Sequence, residues 1–187
     1  MIHTRQIQGN TVVLQPTQIE QRAMIFQWFA QSDITKYIFG PPTFPEFPVP
    51  TWDEFCEDFQ DFYFDDLDQM KGRSYLIEVQ SEYVGQINYN LIERAGATIS
   101  TELDIWLRAE KDCGKGFGVD AILALCEHLY TTLGVNEFWV QPSERNPRSI
   151  ASYQKAGFVR QTLTVEEIEK EWEEPDYFDS VFMRKRM

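Results

Sequence analysis

Glycines stand at every second position from Gly114 to Gly118, directly before an amphipathic stretch that runs to Leu133 and is stopped by Gly134. A helix that starts on such a run leaves its first backbone N–H groups unobstructed, and the positive end of the helix dipole adds to them. The pattern predicts a helix over 116–133 whose start can cradle a pyrophosphate, with Lys115 as a point charge beside it. The plainer reading is a glycine-rich turn with no ligand. A P-loop is excluded, because Gly114-Lys115-Gly116 lacks both the GxxxxGK[ST] spacing and the hydroxyl that holds magnesium. The run 116–121 fits the dinucleotide pattern G-x-G-x-x-A, yet the nearest expected strand stops near Leu107 and Gln141 stands where an acidic ribose ligand belongs.

Around this run the chain mixes strands and helices. A short strand at 11–16 precedes a helical stripe of Ile19, Met24, Ile25, Trp28 and Phe29. Prolines at 41, 42, 45, 48 and 50 then forbid regular structure, so 39–50 reads as a Pro/Phe-rich loop that either shapes a pocket or packs on the core. Thr51 is a plausible N-cap for a helix through Leu67 whose aromatic residues recur at helical spacing. Strands follow at 74–79, 83–89 and 99–107, and again at 137–141, 158–165 and 180–183. Asn146-Pro147 is a strong helix start, and Gly157 ends that helix. The class is α/β or α+β with a mixed sheet, and 187 residues suit a single domain over 1–187. Residues 1–10 read as a disordered N-terminal stretch, and 166–179 as an acidic segment.

A net charge of −13 repels phosphate backbones and anionic lipid and attracts cationic small molecules or basic peptides. Nucleic acid and membrane partners are therefore not expected. Three cysteines without a CxxC pair suit reduced thiols in a cytoplasmic protein, and two histidines leave few parts for a zinc site, so no metal is expected. No segment approaches the roughly 20 apolar residues needed to span a bilayer.

The glycine run, followed by Asn146-Pro147-Arg148-Ser149-Ile150-Ala151-Ser152-Tyr153-Gln154-Lys155-Ala156-Gly157-Phe158, resembles the GNAT superfamily of acyl-CoA N-acyltransferases. That family's cofactor signature, Gln/Arg-x-x-Gly-x-Gly/Ala, is matched at Gly116 and Gly118, with Cys113 in place of the leading Gln or Arg. Its later element is matched at Asn146, Ser149, Tyr153, Lys155, Gly157 and Phe158. The resemblance implies a mostly antiparallel central sheet of about six to seven strands flanked by helices, with acetyl-CoA as cosubstrate. It also implies that the main chain of Ile105, Trp106 and Leu107 pairs with the pantetheine arm and that Cys113, Gly114, Lys115, Gly116, Phe117 and Gly118 hold the pyrophosphate. Asn146 would contact the cofactor near its pantetheine end, and Tyr153 would face the thioester.

Period-two alternation puts Glu102, Asp104 and Trp106 on one face of the 99–107 strand and Leu103, Ile105 and Leu107 on the other. Beside the motifs, Asp104 becomes the candidate base, Glu102 the second carboxylate and Tyr153 the acid that protonates the thiolate. Within the superfamily the sequence is similar to the aminoglycoside 6'-N-acetyltransferases, which place an aspartate ten residues before the glycine run, as Asp104 is here, and a late Pro-Asp pair like Pro175-Asp176. Gln141 replaces the aspartate that those enzymes carry before Pro-Ser. The expected acceptor is a cationic small-molecule or peptide amine approached by Glu102, Gln141 and Asp176. A protein N-terminus, a ribosomal protein, a polyamine and a siderophore lysine are the other acceptors the resemblance allows. A GNAT-shaped module that senses acyl-CoA without turnover is the alternative that Cys113 favours. A monomer and a homodimer are both compatible with the sequence.

Overall fold

A computed structural model describes residues 6–39, 48–172 and 179–187. Its sheet is built from β1 (Ile7–Gln8), β2 (Val13–Pro16), β3 (Arg73–Val79), β4 (Glu82–Tyr89), β5 (Glu93–Ala95), β6 (Thr98–Leu107), β7 (Glu137–Val140), β8 (Val159–Arg160) and β9 (Met183–Arg186). The order across the sheet is β1-β2-β3-β4-β6-β7-β9-β8, with β5 also paired to β6. Every pairing is antiparallel apart from β6 with β7. That parallel step needs a long crossover, which the helix α4 (Phe117–Leu133) supplies. Among the described residues the nine strands exceed the seven expected by two short ones: β1 and β5 are two and three residues long, below the length at which alternation can be read. Among the described residues no helix is long and apolar enough to cross a membrane.

The sheet is covered on both faces. On one, α4 buries Ala121, Ile122, Leu125, Cys126 and Leu129 against Leu14, Tyr75, Ile77, Ile87 and Leu103. These positions recur at three- and four-residue spacing, and their apolar burial is what holds the helix on the sheet. On the other face, α1 (Arg22–Gln31) and α3 (Trp52–Asp58) close a second, aromatic cluster of Ile25, Phe55, Phe59, Tyr63, Phe64 and Leu76. A short α2 (Thr35–Phe39) follows α1, and α5 (Pro147–Lys155) follows β7. Strand β6 obeys the expected alternation: Leu103, Ile105 and Leu107 pack with α4, whereas Trp106 packs with the aromatic cluster.

Four local expectations are corrected. The helix expected to continue to Leu67 ends at Asp58 and resumes as a 3-10 turn over Asp61–Phe64. Arg22 donates to the Phe59 carbonyl at 2.8 Å and the Cys56 carbonyl at 3.2 Å, so carbonyls left open by the helix end are capped by a cation. The strand expected over 158–165 pairs only at β8, and α6 (Val165–Glu171) begins where it was to end. A Thr164/Glu167 capping box fixes that start, with the Glu167 carboxylate accepting from the Thr164 N–H at 2.8 Å. The last strand lies at Met183–Arg186, not 180–183; Glu137 pairs with Arg186 at 2.6 Å and stabilises its charged end. Of the N-terminal ten residues, Ile7 and Gln8 are ordered in β1, and the following turn is tied to α4 because Asp120 accepts from Asn10, Thr11 and Val12.

Candidate active site

Strand β6 changes partners along its length. Its parallel pairing with β7 ends at Glu102 opposite Trp139, while its pairing with β4 continues through Leu103–Leu107. Beyond Glu102 the β7-facing edge of β6 therefore has no ladder partner among the described residues, and an extended ligand can add there as a strand would. The same splay opens a cavity of about 360 Å³ between β6, α4 and α5. Ile105, Trp106 and Leu107 line it from the strand. Cys113, Gly114, Gly116 and Gly118 line it from the start of α4, and Asn146 from the start of α5. Lys115 and Phe117 are not in its wall; the Lys115 ammonium lies 5.9 Å from the Phe117 ring centre.

Gly116 is the residue preceding the first turn of α4 and has φ +87°, a left-handed conformation that favours glycine. A Cβ placed on Gly114 or Gly116 would meet nothing within 4 Å, so the space beside this turn is open to a ligand. Burial pushes the Cys113 thiol up, which keeps it a neutral group in that wall. Asn146 caps α5 by accepting from the Ser149 N–H at 3.1 Å, and its amide donates to the Tyr37 carbonyl at 3.2 Å. Arg148 and Lys155, on the same helix, add two cations to the wall. Sequence reasoning assigned neither a role, although both lie in the motif it quoted.

On the opposite face of β6 lies a second cavity of about 460 Å³, between the sheet, α1, α2 and α3. Asp104 lines this one and not the first. Its Oδ2 accepts from the Asn88 amide at 3.3 Å and the Asn90 amide at 3.2 Å. No donor among the described residues reaches Oδ1. Behind these amides runs a buried chain: Thr17 to Ser74, Ser74 to Gln86 and Gln86 to Asn88, at 3.1, 3.0 and 2.9 Å. Tyr63 closes it by donating to Asn90 at 2.9 Å. Burial pushes the Asp104 carboxyl above the usual aspartate range, and the amides of Asn90 and Asn88 pull it partway back. Burial and the nearby Asp104 and Glu102 carboxylates push the Tyr63 hydroxyl up as well, which keeps it a donor.

Tyr153 is 6% exposed and lines both cavities, as do Ile105, Trp106, Asn146, Ser149 and, from α2, Tyr37 and Ile38. Those seven residues form a common wall, so groups placed in the two cavities meet across it. Trp106 contributes a buried indole N–H with no hydrogen-bond partner among the described residues. Gln141 lines the second cavity, and its amide donates to Glu102 at 2.8 Å. Glu102 itself faces a separate recess bounded by Trp139 and Trp172. Asp176 lies outside the described residues. The residues that sequence reasoning missed here are Asn88, Asn90 and Tyr63; amides at alternate positions of one strand were the available signal.

A family model described as an acetyltransferase (GNAT) domain matches residues 11–159. A human alpha/beta-tubulin-N-acetyltransferase 9 is 33% identical over 105 residues, covering 50% of this chain and 50% of that protein. A kanamycin resistance protein of Rhizobium radiobacter is 39% identical over 59 residues, covering 32% of this chain and 55% of that protein. The matched regions thus span about half the length of these two curated relatives. In fold, the chain is similar to the aminoglycoside acetyltransferase AAC(6')-Ib, solved in complex with paromomycin and acetyl-CoA, with a TM-score of 0.70 and 24% identity over 95% of this chain and 94% of that one. The open β6 edge, the glycine-started α4 and the match over residues 11–159 agree: the chain belongs to the acetyltransferase (GNAT) domain family.

Proposed function

We propose that this chain is an N-acetyltransferase that moves an acetyl group from acetyl-CoA to a primary amine of a cationic acceptor. The observation that carries the reading is the wall shared by the two cavities, with Tyr153 in it and Asp104 on the acceptor side alone. Two reactants entering from opposite faces of β6 are brought together there, which removes much of the entropic cost of their encounter. The first cavity fits acetyl-CoA. The unpaired edge of Leu103–Leu107 offers main-chain groups to an extended amide arm, the open start of α4 suits a pyrophosphate, and Arg148 and Lys155 supply positive charge.

Acetyl-CoA supplies the acetyl group already activated as a thioester. Asp104 draws the acceptor's ammonium into the second cavity and takes its proton, which frees the nitrogen lone pair to attack. Its raised proton affinity narrows the gap to the amine. Asn88 and Asn90 hold Oδ2, so Oδ1 is the oxygen left for this exchange. Tyr153 holds a hydroxyl proton for the sulfur that leaves as the C–N bond forms and the C–S bond breaks. The Trp106 N–H is a further donor held in the same wall.

The likeness to AAC(6')-Ib and to the kanamycin resistance protein supports an aminoglycoside acceptor, and the tubulin acetyltransferase supports a protein amine. Release of free thiol from acetyl-CoA in the presence of an amine panel tests the activity. Thiol release that depends on one of the amines is expected; binding of acetyl-CoA with no turnover on any amine would leave a sensor in its place.

A further inference from the structure

The second cavity carries information about the acceptor that the family match does not. Aromatic side chains dominate its wall: Phe29, Phe39, Phe55, Phe59, Tyr63 and Trp106 all contribute. These are not scattered faces. Phe29 packs on Trp106 with ring centres 4.7 Å apart, and Phe59 stacks on Tyr63 at 4.8 Å, so the cavity is cut into one continuous aromatic cluster.

The polar side chains in the same wall are already engaged with one another. Asn88 accepts from Gln86 and donates to Asn90 and Asp104. Asn90 accepts from Tyr63 and Asn88 and donates to Asp104. Gln141 donates to Glu102, and Ser143 bonds to the Asp179 carboxylate at 3.0 Å. Beyond Oδ1 of Asp104, the Trp106 N–H and the exposed Asp58 at the rim, what these bonds leave for a ligand is chiefly aromatic surface. Among the described residues no lysine or arginine lies in the wall.

A hydroxyl-rich amine placed there would bury many donors and acceptors against ring faces and against amides largely committed to one another and to Asp104. An ammonium beside an aryl or alkyl body would instead meet one inward carboxylate and a ring-lined chamber, through charge pairing, apolar burial and cation–π contact.

From this we infer that the acceptor is a hydrophobic primary monoamine, an ammonium attached by a short linker to an aromatic or bulky aliphatic group. The inference rests on the acetyltransferase reading above. It separates this cavity from one built for an aminosugar, because the recognition elements among the described residues are rings and a single deep carboxylate.

The test is steady-state acetylation by the full chain with acetyl-CoA, across 2-phenylethylamine, its β-hydroxylated analogue phenylethanolamine, spermidine, kanamycin, and a short peptide with a free N-terminus. The expected kcat/KM for 2-phenylethylamine exceeds that for kanamycin, spermidine and the peptide. It also exceeds that for phenylethanolamine by roughly 10- to 100-fold, the range by which an apolar pocket rejects one added hydroxyl. Turnover led by kanamycin, spermidine or the peptide overturns the hydrophobic monoamine while leaving the acetyltransferase reading intact. So does equal use of the two phenyl amines. No acetylation of any amine, with acetyl-CoA bound, overturns that reading and this inference together.

Discussion

Replacing Asp104 by Asn isolates the proton-accepting role of this residue from its place in the fold. The amide oxygen of the variant can accept from Asn88 and Asn90 where Oδ2 does now, so the buried chain back to Thr17 keeps its partners. What disappears is a group that can take a proton. A positioned general base contributes about 10²- to 10⁴-fold in rate, equivalent to about 3–5 kcal/mol in the barrier. We expect kcat to fall by that factor in a thiol-release assay. Acetyl-CoA affinity, measured by calorimetry, should stay within about twofold of the parent because Asp104 does not line the first cavity. The same variant has a second signature. Burial raises the folded-state affinity of Asp104 for a proton, so between the ordinary aspartate value of about 3.9 and the higher folded value the native state binds more protons than the unfolded state, and stability falls as pH rises. Asp104→Asn carries no such loss. It should melt higher than the parent at neutral pH, with the difference shrinking as pH drops below the aspartate range. A kcat within threefold of the parent would remove Asp104 as the base.

Three further outcomes follow from the geometry. Tyr153→Phe keeps the ring, which packs with Phe158 at 5.7 Å, and removes the hydroxyl; kcat should drop about 10²- to 10⁴-fold with acetyl-CoA affinity retained, and unchanged turnover would leave Tyr153 a packing residue. Gly116→Val forces a β-branched residue into φ +87°, a strain of about 1–2 kcal/mol, and places a side chain before the α4 N–H groups; weaker acetyl-CoA binding is expected in titration calorimetry, and unaltered affinity would contradict the cradle. Asp120→Ala unties the β1–β2 turn from α4 and should destabilise by about 1–3 kcal/mol in urea melts at neutral pH. Burial alone would raise the Asp120 carboxyl, but hydrogen bonds from Asn10, Thr11 and Val12 outweigh it and hold the group below its usual range. That stability is therefore present above the ordinary aspartate value and is lost as pH falls through the lower folded one, so parent and variant should converge in acid.

Much of the fold was legible because its signals are local. The glycines around α4, the Asn146-Pro147 start of α5 and the alternation along β6 each depend on a few neighbouring residues, and each reappears in the structure. Elements fixed by distant partners were not legible. The end of α3 depends on Arg22 from another helix, and β1 is held through Asp120, about a hundred residues away. α6 was missed for a different reason: its capping box is local, but the apolar residues 163 and 165 around it favoured a strand. In the second cavity, Gln86, Asn88 and Asn90 alternate with apolar residues, the pattern of a strand with one wet face. That face is instead covered by α1 and α3, with Gln86 0% and Asn88 2% exposed, so the amides serve Asp104 and one another rather than water.

In the proposed reaction the two cavities present an acetyl group and an amine to each other across the Tyr153 wall. Mass spectrometry of a reaction with isotopically labelled acetyl-CoA follows that transfer. The label is expected on the nitrogen of the acceptor, with one free thiol released for each acetylated amine. Label retained on CoA, or lost only as free acetate at a rate that no amine changes, would contradict it.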